Sequence, residues 1–105
     1  MTALPDVFLR APLAHRAYHD VSAGRPENSR AAIRAAVAAG YGIECDVQLS
    51  SDGVAMVFHD YDLGRLTAQK GPVAQQKARA LGAIPLLGAD DGIPTLAEVL
   101  GIVAG

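Results

Sequence analysis

Two carboxylates stand two positions apart, Glu44 and Asp46, in a run that alternates between polar and apolar residues. If this run is a β-strand, its alternate side chains share a face, so both carboxylates point the same way, about 7 Å apart. Neighbouring like charges are costly unless a cation neutralises them, and Mg²⁺ and Ca²⁺ take oxygen ligands. The spacing is therefore compatible with a divalent-metal site. A solvated strand face also explains this spacing, and it is the more common source of such a pattern.

The histidines His15 and His59 each end an apolar segment that we predict to be a strand. Asp52-Gly53 is a strong hairpin signal, and a hairpin there pairs residues whose numbers sum to about 104, which places His59 across from the two carboxylates. Histidines in that position suit acid and base catalysis near neutral pH, and Arg16 could hold an anion in a forked contact. Taken singly, each histidine is also explained as a strand-end residue in ordinary hydrogen bonds.

Glu27 and Asn28 precede an alanine-rich segment that we predict to be a helix from Ser29 to Ala39. A structural role comes first for both, because Asn28 or Ser29 can cap this helix and an acid favours its positive end. Both could also contact a ligand, since a helix amino end attracts anions. Cys45 lies on the apolar face of the carboxylate strand, and its acidic neighbours should raise its pKa, which argues against a nucleophilic thiol.

The elements that position these residues follow from apolar periodicity and turn signals. We predict strands over 7–14, 43–49 and 54–58, helices over 29–39, 73–81 and 96–104, and a loop over 65–71. Thr95 and Glu98 should form a capping box for the last helix. The alternation predicts that Val47 and Leu49 face a core, and the helical spacing predicts the same for Val37.

The composition indicates one ordinary globular unit of 105 residues, half of them hydrophobic and 19% charged, with a formal net charge of −2. Acids and bases are interspersed, so neither a nucleic-acid footprint nor a basic membrane patch is expected. No apolar run approaches the roughly 20 residues of a membrane span, or suits a signal peptide. Cys45 is the only cysteine. We therefore expect a cytoplasmic protein without an intrachain disulfide.

Six stretches that cover nearly the whole chain resemble the glycerophosphodiester phosphodiesterase family, in the family's order and at its usual spacing. They are His15-Arg16-Ala17, Pro26-Glu27-Asn28-Ser29, Gly42-Ile43-Glu44-Cys45-Asp46-Val47, Asp52-Gly53 followed by Val57-Phe58-His59-Asp60, Leu63-Gly64-Arg65-Leu66-Thr67, and Ile93-Pro94-Thr95-Leu96-Ala97-Glu98-Val99-Leu100. Each stretch alone is weak, and the combination is specific.

The resemblance implies an α/β fold of the TIM-barrel (β/α)8 type, with the active site at the carboxyl ends of the strands. It also implies metal-dependent hydrolysis of a small-molecule glycerophosphodiester to glycerol 3-phosphate and an alcohol. The implied residues are the acid/base pair His15 and His59, the ligands Glu44 and Asp46 of a divalent metal (Mg²⁺ or Ca²⁺), and the substrate-binding residues Arg16, Glu27 and Asn28.

The chain departs from the family pattern at Ala17, where the family has glycine; a positive φ there would be strained. Such a barrel takes about 250 residues. We therefore expect residues 1–105 to be the amino-terminal portion of the domain, with the first three or so strands and their helices. In the family, a third metal carboxylate and a phosphate-side lysine lie on later strands.

Two alternatives stay open. One is a truncated, non-catalytic homologue that keeps part of the site and associates with itself through the open edges of an incomplete barrel. The other is a phosphodiesterase of the lyase-type phospholipase kind, which uses a similar histidine pair and metal. The Pro-Glu-Asn-Ser and Ile-Pro-Thr-Leu stretches favour the glycerophosphodiester phosphodiesterase family over these phospholipases.

Overall fold

A short β–α–β unit opens the fold. The computed structural model describes residues 13–105. Most of the predicted strand over 7–14 lies outside the described residues, and its last two residues form β1 (Leu13–Ala14). Strand β1 pairs in parallel with β2 (Gly42–Ile43). The chain crosses between them through helix α1 (Arg30–Ala39), as a parallel pair requires.

Helix α1 confirms the prediction of an alanine-rich helix. Of the two candidate caps, Ser29 is the one used: its hydroxyl accepts a hydrogen bond from the Ala32 backbone N–H at 3.1 Å. Gly40 ends the helix with a φ of 73°, which costs glycine little. Ile33 is buried as predicted, but Val37 is 42% exposed, so its prediction as a core residue is wrong. Nothing in the described part of the chain covers that side of the helix fully.

The predicted strand over 43–49 is interrupted, which corrects the sequence interpretation. Strand β2 ends at Ile43, and β3 (Val47–Leu49) begins three residues later. The alternation of faces holds only within a continuous strand. Val47 is 43% exposed and Leu49 is 60% exposed, so the core face predicted for them is wrong.

Strand β3 forms the predicted hairpin with β4 (Ala55–Val57). The register pairs Val47 with Val57, whose numbers sum to 104, and the expected pairing is thus confirmed. Gly53 adopts a φ of 78° in the turn, a conformation that suits glycine.

Strand β4 separates two hydrophobic clusters. One of its edges pairs with β3, and on the other the Val57 N–H donates to the Pro94 carbonyl at 2.8 Å. Side chains alternate along the strand and into the residue after it, so Met56 and Phe58 enter one cluster and Val57 the other. The large core consists of Met56, Phe58, Leu63, Val73, Leu81, Leu86 and Ile93. The small core consists of Ala17, Ala32, Ile33, Val57 and Val99.

The predicted loop over 65–71 contains no helix or strand, whereas the predicted helix over 73–81 is divided. It consists of a 3-10 turn, Val73–Gln75, and a short helix α2 (Ala78–Gly82). Between the two helical pieces, the backbone bonds to the β3–β4 turn. The Gln76 carbonyl accepts from the Ser51 N–H at 2.8 Å, and the Ala78 N–H donates to the Asp52 carboxylate at 3.0 Å.

The last helix, α3 (Leu96–Ala104), confirms the predicted capping box. Thr95 Oγ1 accepts from the Glu98 N–H at 3.1 Å, and Glu98 Oε1 accepts from the Thr95 N–H at 3.2 Å. Arg30 of α1 donates to Glu98 at 2.7 Å, which ties the two helices together. None of the helices between residues 13 and 105 is long and apolar enough to cross a membrane.

Candidate functional site

The carboxyl ends of β1 and β2 bring the first predicted site residues together. Because the two strands are parallel, the residues after them, His15 and Arg16 in one case and Glu44 in the other, lie at the same edge. The Arg16 backbone N–H donates to Glu44 Oε2 at 2.9 Å, and the Ala17 N–H donates to the Glu44 carbonyl at 2.9 Å. Glu44 therefore holds the turn that carries His15.

The hairpin delivers His59 to the same edge. In an antiparallel pair, the start of β3 lies beside the end of β4, so Asp46 and His59 are neighbours. The Phe58 N–H donates to the Asp46 carbonyl at 2.9 Å, and Gln48 Nε2 donates to the His59 carbonyl at 2.9 Å.

Arg16 is at the centre of the resulting network. Its Nη1 donates to Glu27 Oε2 at 3.3 Å and its Nη2 donates to His59 Nε2 at 3.0 Å. Its Nε lies 3.9 Å from Asp46 Oδ2. The guanidinium thus contacts three of the predicted site residues.

Glu27 and Asn28 face this network, and of the two candidate helix caps Asn28 is the one not used. Ser29 caps α1. Asn28 is 2% exposed, and its Nδ2 donates to Asp46 Oδ2 at 3.1 Å. All seven predicted site residues are thereby linked: His15, Arg16, Glu27, Asn28, Glu44, Asp46 and His59. Their functional roles stay predictions.

The backbone under this network adopts a left-handed conformation at three non-glycine residues. The φ angles are 53° at Arg16, 64° at Ala17 and 56° at Asn28. Asparagine tolerates this region, whereas alanine and arginine rarely adopt it. The backbone strain expected at Ala17, where the family has glycine, is therefore present. Such strain persists only where surrounding contacts impose it, and it concentrates at functional sites.

Two buried side-chain atoms in the part of the chain from 13 to 105 lack a hydrogen-bond partner: Arg16 Nε, a donor, and Asn28 Oδ1, an acceptor. Both side chains contact Asp46. An unpaired buried polar atom costs about 1–3 kcal/mol. A free donor suits an anionic oxygen and a free acceptor suits a cation, so the two atoms together match an anion bound with a metal ion.

The oxygens that this network could offer a metal are hard donors: the carboxylates of Glu44 and Asp46 and the free Asn28 Oδ1. These fit Mg²⁺ or Ca²⁺ in chemical type. Among the described residues, no group of three or more His, Cys, Asp or Glu side chains is arranged to hold a metal ion. The carboxylate pair by itself is thus too small a set to hold a metal ion, and its role as a pair of metal ligands stays a prediction.

Sequence reasoning assigned no role to Asp60 and Arg65, which complete the network. His59 Nδ1 lies 2.7 Å from Asp60 Oδ1. Arg65 donates to both Asp60 oxygens at 2.9 Å and to Glu27 Oε1 at 2.6 Å. Both residues lie in stretches that carry the family resemblance, and this was the one available signal.

These contacts define the neutral form of the His59 ring. A guanidinium has only donors, so His59 Nε2 must accept from Arg16, and the ring proton lies on Nδ1, where it is donated to Asp60. Hydrogen bonds from Arg65, and secondarily from His59, hold the pKa of Asp60 well below its usual range. Asp60 therefore stays ionised and available as the acceptor.

His15 and Cys45 differ from the residues around them. The His15 side chain is 71% exposed, and its Nε2 lies 3.6 Å from Glu44 Oε2, an ion-pair distance that applies when the ring is protonated. Burial, with the charges of Glu44 and Asp46, raises the pKa of the Cys45 thiol. The direction predicted for this thiol is confirmed, and a nucleophilic role is disfavoured.

Two open clefts flank the network. One, of about 330 Å³, is lined by His15, His19 and Tyr18 among others. The other, of about 390 Å³, lies against Glu27 and Arg65. His19 lines both clefts, and His15 in one and Glu27 in the other are the predicted site residues that reach them.

Known proteins match both the sequence and the structure. The model of the glycerophosphoryl diester phosphodiesterase family matches residues 15–104. The uncharacterized protein YqiK of Bacillus subtilis is 36% identical over 91 residues, which is 80% of this chain and 37% of that protein.

Two solved structures superpose well. A phosphodiesterase of Oleispira antarctica in complex with the product sn-glycerol-3-phosphate gives a TM-score of 0.79 at 31% identity, over 92% of this chain and 41% of that one. The glycerophosphodiester phosphodiesterase of Thermotoga maritima gives 0.73 at 35% identity, over 90% and 39%. The chain spans about two fifths of the length of these relatives. It belongs to the glycerophosphoryl diester phosphodiesterase family, and its described residues have the α/β architecture of part of that family's TIM barrel.

Proposed function

We propose that this chain is the amino-terminal portion, residues 1–105, of a domain that hydrolyses glycerophosphodiesters to glycerol 3-phosphate and an alcohol. The observation that carries the proposal is the pair of unpartnered buried atoms, Arg16 Nε and Asn28 Oδ1, beside Asp46. Family membership and the product bound in the Oleispira antarctica relative support the same substrate class.

Glu44 and Asp46 would hold a divalent cation, Mg²⁺ or Ca²⁺, with Asn28 Oδ1 as a neutral oxygen donor. Water and substrate oxygens would complete the coordination, as is usual for Mg²⁺. When bound, the cation would polarise a phosphoryl oxygen and offset the charge that develops on it.

The protein's own groups would bind the anion and move protons. Arg16 Nε would donate to a phosphate oxygen, and Glu27 would keep the guanidinium oriented through Nη1. The His59 Nε2 lone pair, which accepts from Arg16 Nη2 in this structure, would take the proton of the attacking hydroxyl as its oxygen bonds to phosphorus. Either water or a glycerol hydroxyl of the substrate could supply that hydroxyl. The exposed His15, beside the Glu44 carboxylate, would deliver a proton to the leaving alkoxide.

Hydrolysis of glycerophosphocholine by the purified chain tests the proposal, with Mg²⁺ or Ca²⁺ compared with chelator. We expect metal-dependent release of glycerol 3-phosphate and its loss in Glu44→Gln and Asp46→Asn. Asp90→Asn is the matched control, since Asp90 is an exposed carboxylate outside the network. Turnover that persists in chelator and in both site variants would refute the metal-assisted mechanism.

The non-catalytic alternative has one specific observation in its favour: among the described residues, no group of three or more His, Cys, Asp or Glu side chains is arranged to hold a metal ion. A folded chain that binds Mn²⁺ in a titration, loses that binding in Asp46→Asn, and shows no turnover would support it. The phospholipase-type alternative would instead release a cyclic phosphodiester product, which ³¹P NMR of the same reaction distinguishes from glycerol 3-phosphate.

Self-association and a cytoplasmic location belong to the proposal as well. A groove between α1 and α3 exposes Val37, Leu100 and Val103 by 42%, 58% and 48%. We expect Leu100→Glu to lower the mass measured by light scattering during size exclusion if two copies meet there. The single cysteine, Cys45, fits a reducing compartment, which cell fractionation would check.

A further inference from the structure

Five side chains form a closed ring around the proposed site. Arg16 contacts Glu27 on one side and His59 on the other. His59 contacts Asp60, and Arg65 then joins Asp60 to Glu27. The ring closes through Arg65 alone, because no other described side chain bridges these two carboxylates.

Arg65 makes this junction with three nitrogens of one planar group. Its Nε donates to Asp60 Oδ2 at 2.9 Å and its Nη2 donates to Asp60 Oδ1 at 2.9 Å. Its Nη1 donates to Glu27 Oε1 at 2.6 Å. A lysine has a single ammonium group and cannot reproduce this planar fork.

Each of the two carboxylates accepts a hydrogen bond from a different residue of the proposed site. Asp60 Oδ1 accepts the His59 Nδ1 proton, which leaves Nε2 free to accept. Glu27 Oε2 accepts from Arg16 Nη1. Arg65 occupies the other oxygen of Glu27 and both oxygens of Asp60, so it determines the rotation of both carboxylates about their side-chain bonds.

We propose that Arg65 is a positioning residue that orients His59 through Asp60 and Arg16 through Glu27. It lies at the rim, with a side chain 49% exposed, and has no contact with His59 or Arg16 among its hydrogen bonds. The expected effect of Arg65 on turnover rests on the proposed function, whereas its expected effect on which His59 ring nitrogen carries the proton is independent of that function.

Removal of Arg65 has a defined consequence for the ring. Asp60 would lose two donors and could rotate away from His59, and the two carboxylates would face each other without a cation between them. Without an ionised, oriented acceptor at Nδ1, the His59 proton can move to Nε2. A donor at Nε2 would then oppose the Arg16 Nη2 donor and break the 3.0 Å contact.

Nitrogen-15 NMR of the histidine rings in the full 105-residue chain tests this directly, at about pH 8.5, where free imidazole is neutral. In the unmodified chain we expect the His59 Nδ1 shift to be that of a protonated nitrogen and the Nε2 shift that of an unprotonated one. In Arg65→Gln, the two shifts should move toward each other as the tautomers mix. His15 in the same spectra is the internal reference.

Arg25→Gln is the matched control, because Arg25 is paired with Asp20 at 4.0 Å and lies over the Tyr18 ring, outside the network. It should leave the His59 shifts unchanged. Arg65→Lys should shift them part of the way. Unchanged His59 shifts in folded Arg65→Gln would overturn the proposal. If the glutamine variant does not fold, Arg65→Lys decides: a partial shift supports the proposal and unchanged shifts overturn it.

Kinetics supply the second readout where turnover is present. Loss of an outer hydrogen-bond partner of a metal-bound histidine typically costs about 10- to 100-fold in activity, and we take the same order of magnitude for a histidine that moves protons. We expect Arg65→Gln to lower kcat by that factor, with a smaller change in KM, and Arg65→Lys to recover part of it. Equal kcat in Arg65→Gln and the unmodified chain would contradict the inference. An unmodified chain without turnover would count against the proposed function and leave the ring-nitrogen result standing.

Discussion

The two sides of the proposed site adjoin different hydrophobic cores. His59, Asp60 and Arg65 follow β4, and Met56 of that strand and Phe58 directly after it are at most 1% exposed in the large core. The turn with His15 and Arg16 and the segment with Glu27 and Asn28 lie instead over the small core. That core contains the alanines Ala17 and Ala32 and borders the open groove between α1 and α3.

The backbone conformations differ in the same way. The three non-glycine residues with positive φ in the described chain, Arg16, Ala17 and Asn28, all lie on the small-core side. Polar contacts hold them, among them the Asn28 N–H to the Arg16 carbonyl at 2.8 Å. Polar side chains meet on both sides, but one side follows a strand packed in the large core, whereas the other depends on polar contacts that impose a left-handed backbone. Different substitutions should break them.

The largest effect is expected from Phe58→Ala, which removes the buried aromatic ring next to His59. Deletion of a buried phenylalanine side chain typically costs about 3–5 kcal/mol. A domain typically has only about 5–15 kcal/mol of folding free energy in total. We expect urea unfolding to show loss of most or all of the folding free energy. Tyr61→Ala is the control, since Tyr61 is 83% exposed and should change stability by less than about 0.5 kcal/mol.

On the other side of the site, Asn28→Ala should cost about 1–3 kcal/mol, because it removes the buried hydrogen bond to Asp46 and places alanine at a φ of 56°. Asn28→Gly separates the two causes: it loses the same hydrogen bond and relieves the backbone. Urea unfolding of both variants gives the difference. If Asn28→Gly were as stable as the unmodified chain, backbone strain and not the hydrogen bond would account for the alanine result.

A smaller, pH-dependent effect is expected at Asp60. Its pKa in the folded chain lies below the ordinary value because of hydrogen bonds from Arg65 and then His59. The unfolded chain therefore binds the proton first as the pH falls. The contribution of Asp60 to stability is complete above about pH 5 and is lost as the pH falls below about 4.

Unfolding free energies of the unmodified chain and of Asp60→Asn, at about pH 6 and about pH 3, measure this contribution. Arg65 is half exposed and screened, so we expect the difference between the two proteins to shrink by about 1 kcal/mol at the lower pH. Asp90→Asn serves as the control. A difference that stays constant, or grows, as the pH falls would show that the folded state does not favour the ionised form of Asp60.

The smallest effect is expected from Ala17→Gly, which restores the residue typical of the family. Glycine relieves a left-handed backbone by about 1–2 kcal/mol. It also removes a buried methyl group worth about 0.8 kcal/mol and adds backbone entropy to the unfolded chain. We expect thermal unfolding to shift by less than about 1 kcal/mol in either direction. Ala17→Val is the contrasting variant, and it should be clearly destabilising because a branched side chain disfavours positive φ.

Several features of the fold could be predicted from the sequence because their causes are local. Helix α1 follows from its alanines, and α3 follows from the Thr95–Glu98 capping box. The β3–β4 register follows from the Asp52-Gly53 turn. In each case, residues within a few positions of one another make the deciding contacts, so the pattern of residue types is sufficient.

Family membership could also be predicted from the sequence, and so could the seven candidate residues, whose roles stay predictions; how those residues are arranged could not. The break between β2 and β3 depends on two different pairing partners, β1 and β4. Glu27 and Asn28 turn from the helix to the site because Arg16 and Asp46 reach them from other elements. The order of residues along the chain determined which chemical groups are available. Only the tertiary structure decided that Arg65 closes a ring with Glu27, 38 positions away, because contacts between distant segments depend on how separate elements pack.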